Sequence, residues 1–265
     1  MPRANRHYLP GHVWHITHRC HDRSFLLKFA PDRTNWLQWL REAQKRFGLC
    51  VLDYAATCNH IHLLVLDNGD RQCISNSLQL SQGRTGQEHN LRKNRRGAFW
   101  EDRYHATAVQ TGHHLLQCIV YIDLNMVRTG VVQHPGEWLH GGYRELQGMK
   151  ERNRIIDTHE LSRLLGMNDE NELRRAHGEL VESALRQGGL RRIDYWTSSI
   201  AVGDPGFVHR IHAQLLERAE GRRVEDHGDI CALQEPSAPY PSGSLQPESF
   251  IAGDNQYLWG AAVNS

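Results

Sequence analysis

An α+β fold, with a split-βαβ, ferredoxin-like sheet and a final helix laid on it, is predicted by three observations. Short runs that alternate apolar and polar residues, rich in β-branched and aromatic side chains, punctuate the first 110 residues. Stretches with apolar residues at helical spacing lie between them. The order of these segments, β-α-β-β-α-β-α, is the order such a sheet requires.

"HVWHITHRC" (12–20) is the first strand, with Val13, Ile16 and the neighbouring aromatic rings supplying β propensity. "DRTNWLQWLREAQKRFG" (32–48) is a helix: Trp36, Leu37, Leu40, Ala43 and Phe47 recur along one face, and Gly48 stops it. "LCVLDYAAT" (49–57) and "HIHLLVLD" (60–67), parted by Cys58-Asn59, read as a hairpin. An Asn-Gly turn at 68–69 then leads to a helix over 71–82. Residues 84–103, polar and basic up to Phe99-Trp100, read as a loop, and "YHATAVQ" (104–110) as a short strand. "TGHHLLQCIVYIDLNMVRTG" (111–130) is the clearest helix: Thr111 caps it, Leu115, Ile119, Ile122 and Met126 form its stripe, and Gly130 ends it.

Beyond "HPGEW" (134–138) the chain changes character. Residues 157–187 and 204–220 read as helices, with no second set of strands, and the segment from 232 is rich in Pro and Ser and reads as disordered. The division expected is 1–145, 146–231 (a helical extension) and 232–265 (a flexible tail).

Net charge is only +1, but it is unevenly spread. Residues 1–150 hold 19 Lys and Arg against 12 Asp and Glu, and the remainder 12 against 18. A basic front half suits a polyanionic partner. The six cysteines include no CxxC pair, which argues against a zinc ribbon or a thioredoxin motif and fits reduced thiols in a cytoplasmic protein. No stretch approaches the roughly 20 apolar residues of a membrane helix.

His60 and His62 lie two apart on a strand and so project from the same face. Imidazole nitrogen binds divalent metals, and the pair would make half a site. A lone His-x-His is more often incidental. Zinc with Cys58 or Cys73 is the plainer metal alternative, but the spacing does not support a closed tetrahedral site. On the helix, His114, Cys118, Tyr121 and Asn125 form a polar stripe beside the apolar one. Tyr121 and Asn125 stand at i, i+4: a phenol able to act as a covalent nucleophile beside a hard oxygen donor. Tyr121 alone reads as a packing residue; all four groups together make a testable site.

These residues resemble the single-tyrosine HUH endonucleases, in which histidine, a bulky hydrophobe and histidine sit on a central strand of a ferredoxin-like sheet. "NHIHLLV" (59–65) carries the motif, "YIDLNMVRTGVV" (121–132) is similar to the tyrosine helix of REP-associated tyrosine transposases, and "AFWEDRYHAT" (98–107) resembles the segment before it. The likeness spans roughly residues 8–145. It departs at Met126, where proline is expected, a change that touches neither Tyr121 nor Asn125. The resemblance makes 1–145 the HUH endonuclease domain. It implies cleavage of single-stranded DNA near palindromic, REP-like hairpins, a 5′-phosphotyrosine link and a free 3′-OH. Carried over, Tyr121 is the nucleophile, His60 and His62 bind Mg²⁺ or Mn²⁺, and Asn125 holds the third-ligand position. His114, nearly two turns before Tyr121, is a weak candidate for the base.

Arg84, Arg92, Lys93, Arg95, Arg96 and Arg103, with Phe99 and Trp100 beside them, combine phosphate-binding charge with rings able to stack on unpaired bases. Arg3 and Arg6 offer a second DNA contact. "IAVGDPGFVHRIHAQL" (200–215) resembles the extension of longer family members. "THELSRLLGMNDENELRRAH" (158–177) could be a helix-turn-helix, but its acidic balance favours a packing or dimerisation module. Whether the protein is a monomer or a homodimer stays open. Two other functions share part of this pattern. A histidine-triad nucleotide hydrolase wants a third histidine where Leu64 stands. A non-catalytic DNA-binding protein on the same scaffold has no need of all four site residues.

Overall fold

The computed structural model describes residues 9–150, 152–188, 192–215 and 222–234. Four strands, β1 (Val13–Arg19), β2 (Cys50–Ala56), β3 (His60–Leu66) and β4 (His105–Val109), alternate with two helices, α1 (Ala30–Phe47) and α2 (Cys73–Arg92). β1 runs antiparallel to both β3 and β4, and β2 pairs with β3. The order β2-β3-β1-β4 is the predicted split-βαβ arrangement.

Side chains alternate across the sheet, so its two faces differ. Ile16 and His18 of β1 face α1 and α2, as the bond from His18 Nδ1 to Gln82 Oε1 (2.6 Å) shows. α1 forms as expected, burying Trp36, Leu37, Leu40 and Ala43, and Gly48 closes it in the left-handed region (φ 68°). α2 differs: it runs ten residues past its expected end, so Arg84 and Arg92 lie on a helix. Beyond Cys73 and Leu78 its buried face is made of small or polar residues, Ser77, Ser81, Gln82, Thr85, Gly86 and His89, so its later turns give no apolar periodicity to read. The Ser81 and Thr85 hydroxyls satisfy themselves by donating to the carbonyls of Ser77 and Ser81.

The opposite face carries α3 (His113–Asp123), which buries Leu115, Ile119 and Ile122. Gly112 (φ 75°) stands at its N-cap, and no side chain caps it, so Thr111 does not play the expected part. The expected single helix is interrupted at Leu124 (ψ 2°) and resumes as α4 (Asn125–Arg128). Gly130 ends it, donating to the Val127 carbonyl.

The chain then forms α5 (Tyr143–Leu146), α6 (Thr158–Leu165) and α7 (Glu170–Arg186), the last two capped by Asp157 and Asp169. After α8 (Tyr195–Ser198) comes β5 (Ser199–Gly203), then α9 (Pro205–Leu215), β6 (Arg223–Asp226) and β7 (Cys231–Gln234). The expectation of an extension without strands is therefore corrected. β5 pairs parallel with β4, and the sheet grows to seven strands, β2-β3-β1-β4-β5-β7-β6. These strands are four or five residues long, too short to show alternation, and every residue of β6 is exposed. Cys231–Gln234 also claims the first residues assigned to the tail; 235–265 lie outside the described residues. No helix among the described residues is long and apolar enough to cross a membrane.

The turn before α5 lies against β2. Gly142 N donates to the Tyr54 carbonyl (2.8 Å), and a Cβ at Gly142 would stand 2.0 Å from Asp53 Oδ1 and 2.9 Å from Ile156 Cδ1. Asp53 is fully buried and Ile156 nearly so, and neither has room to retreat. Gly142→Ala should therefore lower the unfolding free energy by about 2–3 kcal/mol, read as a shift in the urea midpoint at unchanged slope.

Candidate active site

His60 and His62 project from one face of β3, and their Nε2 atoms lie 3.0 Å apart. The other nitrogen of each ring is already engaged. His60 Nδ1 lies 2.7 Å from Asn59 Oδ1 and 2.9 Å from Thr57 Oγ1, both at the hairpin turn. His62 Nδ1 lies 2.9 Å from Nε2 of His15 on β1, and the two rings stack at 5.1 Å. Each histidine thus gives its Nδ1 to the protein and turns Nε2 to the shared space.

α3 and α4 cover this space from above. The Asn125 carboxamide nitrogen stands 2.9 Å from His62 Nε2. The Tyr121 ring meets the His62 ring edge-on at 6.1 Å and the His15 ring at 6.3 Å. One chain therefore brings all four residues together; no partner subunit is needed to assemble them. The Arg128 guanidinium lies 4.2 Å over the Tyr121 ring and donates to the Tyr121 carbonyl (2.6 Å). On its other side Tyr121 borders a cleft of about 400 Å³ shared with Arg128, Gln187, Tyr195 and Trp196.

Burial decides the charge states. It pushes His15 and His60 down to about 3 and His62 well below its usual value. Arg19, Arg192 and Arg128 add to the effect at His60. All three rings are neutral at neutral pH, the form in which imidazole binds metals. Burial also raises the Tyr121 phenol, opposed by Arg128 and Arg192.

Two groups, His60 Nε2 and the Asn125 carboxamide, converge on the His62 Nε2 lone pair, and that arrangement suits a cation. Neighbouring ligands of an ion bound at about 2.1 Å are roughly 3 Å apart, close to the spacings of His60 Nε2 and the Asn125 amide from His62 Nε2. The same carboxamide carries the hard oxygen that would be the third donor. Among the described residues no group of three or more His, Cys, Asp and Glu is arranged to hold a metal, so a third donor beside the two histidines would be of another type, and the Asn125 carboxamide is the one in contact with His62 Nε2. Cys73 donates to the Phe47 carbonyl instead, which leaves the Cys58/Cys73 zinc alternative without its ligands. His114 contacts the backbone of Asp229 and lies apart from the cluster.

Residues 9–125 match the model of the family described as "Transposase IS200 like". This segment is therefore similar to the IS200-like transposases. The chain is also similar to the REP-associated tyrosine transposase solved with a REP hairpin, at 15% identity over 59% of this chain and 94% of that one, with a TM-score of 0.47. A Deinococcus radiodurans protein described as a transposase is similar at 14% identity over 39% of this chain and 83% of that one, with a TM-score of 0.31. No curated protein matches the chain.

The basic segment lies in varied surroundings. Arg84 lies over the Trp39 ring (4.8 Å) and Lys93 over the Phe29 ring (5.2 Å). Arg92 pairs with the buried Asp32. Arg95 binds Asn90 and the carbonyls of Gly97 and Ala98, bracing its own loop. Arg96 and Arg103 are exposed. Trp100 is half-buried, stacked on His18 at 4.8 Å and donating to the Gln82 carbonyl. Arg3 and Arg6 lie outside the described residues.

Sequence reasoning missed His15, Arg19, Arg128 and Arg192 around the candidate site. His15 left one signal, a polar ring inside a strand. Arg192 left none, because it enters from a segment far along the chain. The three site histidines also set an acid response. Their native pKa values are depressed below 6.5, so the unfolded chain binds more protons once pH falls under that value. Stability is therefore full above about pH 6.5 and declines as pH drops toward 3. The thermal midpoint of the metal-free protein should fall between pH 7 and pH 4.5, less steeply in His60→Gln.

Proposed function

We propose that the protein is a metal-dependent endonuclease and strand transferase for single-stranded DNA, acting at hairpin, REP-like sequences through a 5′-phosphotyrosine intermediate. One observation carries this reading: Tyr121 is packed against His62 while His60 Nε2 and the Asn125 carboxamide converge on the same His62 nitrogen. Packing alone would not select two bare imidazole nitrogens facing each other beside a phenol. The preference for hairpins rests on the sequence resemblance to REP-associated transposases.

His60, His62 and Asn125 would hold Mg²⁺ or Mn²⁺. When bound, the ion supplies neutralisation of the non-bridging phosphate oxygens and a hold on the leaving 3′ oxygen. The Tyr121 oxygen attacks the scissile phosphorus, forming the Tyr–O–P bond as the P–O3′ bond breaks. The phenol releases its proton, and the 3′ oxygen leaves and takes one up as the 3′-OH. A 3′-OH can then attack the phosphotyrosine and restore both bonds. Arg128, over the Tyr121 ring, favours the phenolate against the cost of burial.

The test is incubation with single-stranded hairpin oligonucleotides in Mn²⁺, Mg²⁺ or EDTA. A covalent protein–DNA adduct should form with metal and vanish with EDTA or in Tyr121→Phe. Asn125→Ala should weaken metal binding by about 10–100-fold. Full adduct formation by Tyr121→Phe would remove Tyr121 as nucleophile. Hairpin binding in gel shifts with no cleavage under any divalent ion would instead favour a DNA-binding protein without catalysis.

A further inference from the structure

We infer that His15 is a positioning residue of the metal site, and that the backbone of Trp196 sets its orientation, so that the C-terminal extension completes a site whose ligands belong to the transposase-like segment. The inference rests on the metal-site reading above but concerns groups outside the ligand set.

A chain of three contacts carries it. The Trp196 carbonyl lies 2.8 Å from His15 Nδ1, and His15 Nε2 lies 2.9 Å from His62 Nδ1. A carbonyl oxygen can only accept, so the proton of neutral His15 must sit on Nδ1. His15 Nε2 is then a lone pair and accepts, which places the His62 proton on Nδ1. His62 Nε2 is left bare, facing His60 Nε2 at 3.0 Å. One fixed carbonyl thereby selects the tautomer of a ring two contacts away.

The surroundings leave little alternative. His15, His62 and Trp196 are each 1% exposed or less, so water does not compete for these nitrogens. A reversed His15 would set an N–H of His62 against the space the ligands share and leave the Trp196 carbonyl without this donor. His15 lies opposite Leu64 in the β1–β3 register, diagonal to His62, the placement that lets rings on neighbouring strands stack. Trp196 is held in turn: its ring packs 6.2 Å from Tyr121, and Thr197 N and Ser198 N both donate to the Asp194 carbonyl.

The test needs neither DNA nor cleavage. In full-length, metal-free protein labelled with ¹⁵N-histidine, long-range ¹H–¹⁵N correlations should show His62 protonated on Nδ1 with a bare Nε2. In His15→Phe that signature should be lost, and Mn²⁺ affinity, read by electron paramagnetic resonance of the free ion, should fall about 10–100-fold. His15→Gln keeps an acceptor and should retain the signature and most of the affinity. A folded His15→Phe with unchanged His62 signals and Mn²⁺ affinity would overturn the proposal. So would wild-type His62 protonated on Nε2, a result that holds even if His15→Phe fails to fold. Failure of the adduct experiment with this tautomer present would count against the nuclease reading alone.

Discussion

The 2.9 Å contact between the Asn125 carboxamide and His62 Nε2 is where the two periodicities of the site meet. A strand repeats every two residues, so His60 and His62 share a face; a helix repeats every 3.6, so Tyr121 and Asn125 point the same way. Neither pattern alone makes a site. They meet because Leu115, Ile119 and Ile122 fix α3 on the sheet. Each such side chain contributes about 1.5–3 kcal/mol on burial, whereas one hydrogen bond contributes about 1 kcal/mol net. The apolar stripe therefore positions the polar groups, and the interruption at Leu124 sets the final orientation of Asn125.

Buried polar groups specify where the extension sits. His177 of α7 meets Asp123 at 2.9 Å, and both side chains are fully buried. Burial pushes the Asp123 carboxyl up, with His177 acting the other way. Such a pair adds little net stability but penalises any arrangement that separates it. It ties α7 to α3 two residues beyond Tyr121, while the Trp196 carbonyl ties α8 to β1 through His15. The strands β5–β7 extend the same sheet. The nucleophile's helix is thus held by the sheet below and by the extension beside it.

What could be read from the sequence follows from the range of each signal. The first four strands, α1 and the ligand-bearing face of β3 were legible because alternation, helical spacing and the Gly48 stop are local. Tyr121 and Asn125 were legible as a pair for the same reason. The last turns of α2 were not, since Ser77, Ser81, Thr85 and His89 bury polar groups where periodicity looks for apolar ones. The later strands were missed because four or five residues cannot display a pattern, and β5 exists only by pairing with β4. His15 is the instructive case. Its identity was visible, but its partner on β3 depends on register, and its anchor lies 181 residues away.

Charge shows the same limit from another side. The basic balance of the front half suggested that the arginines of 84–103 meet DNA. Several of them have structural work: Arg92 offsets a buried carboxylate, Arg95 ties carbonyls, and Arg84 and Lys93 cover aromatic rings. Meanwhile Arg19, Arg128 and Arg192, which no basic cluster announces, lie close enough to depress His60. Arg128 and Arg192 also oppose the burial of Tyr121. A phosphate entering this space would meet that positive field in a partly desolvated setting, where each charge acts more strongly than on the open surface. The three come from a strand, from the helix after Tyr121 and from the extension. Their convergence is a property of the fold, which a count of basic residues along the chain cannot contain.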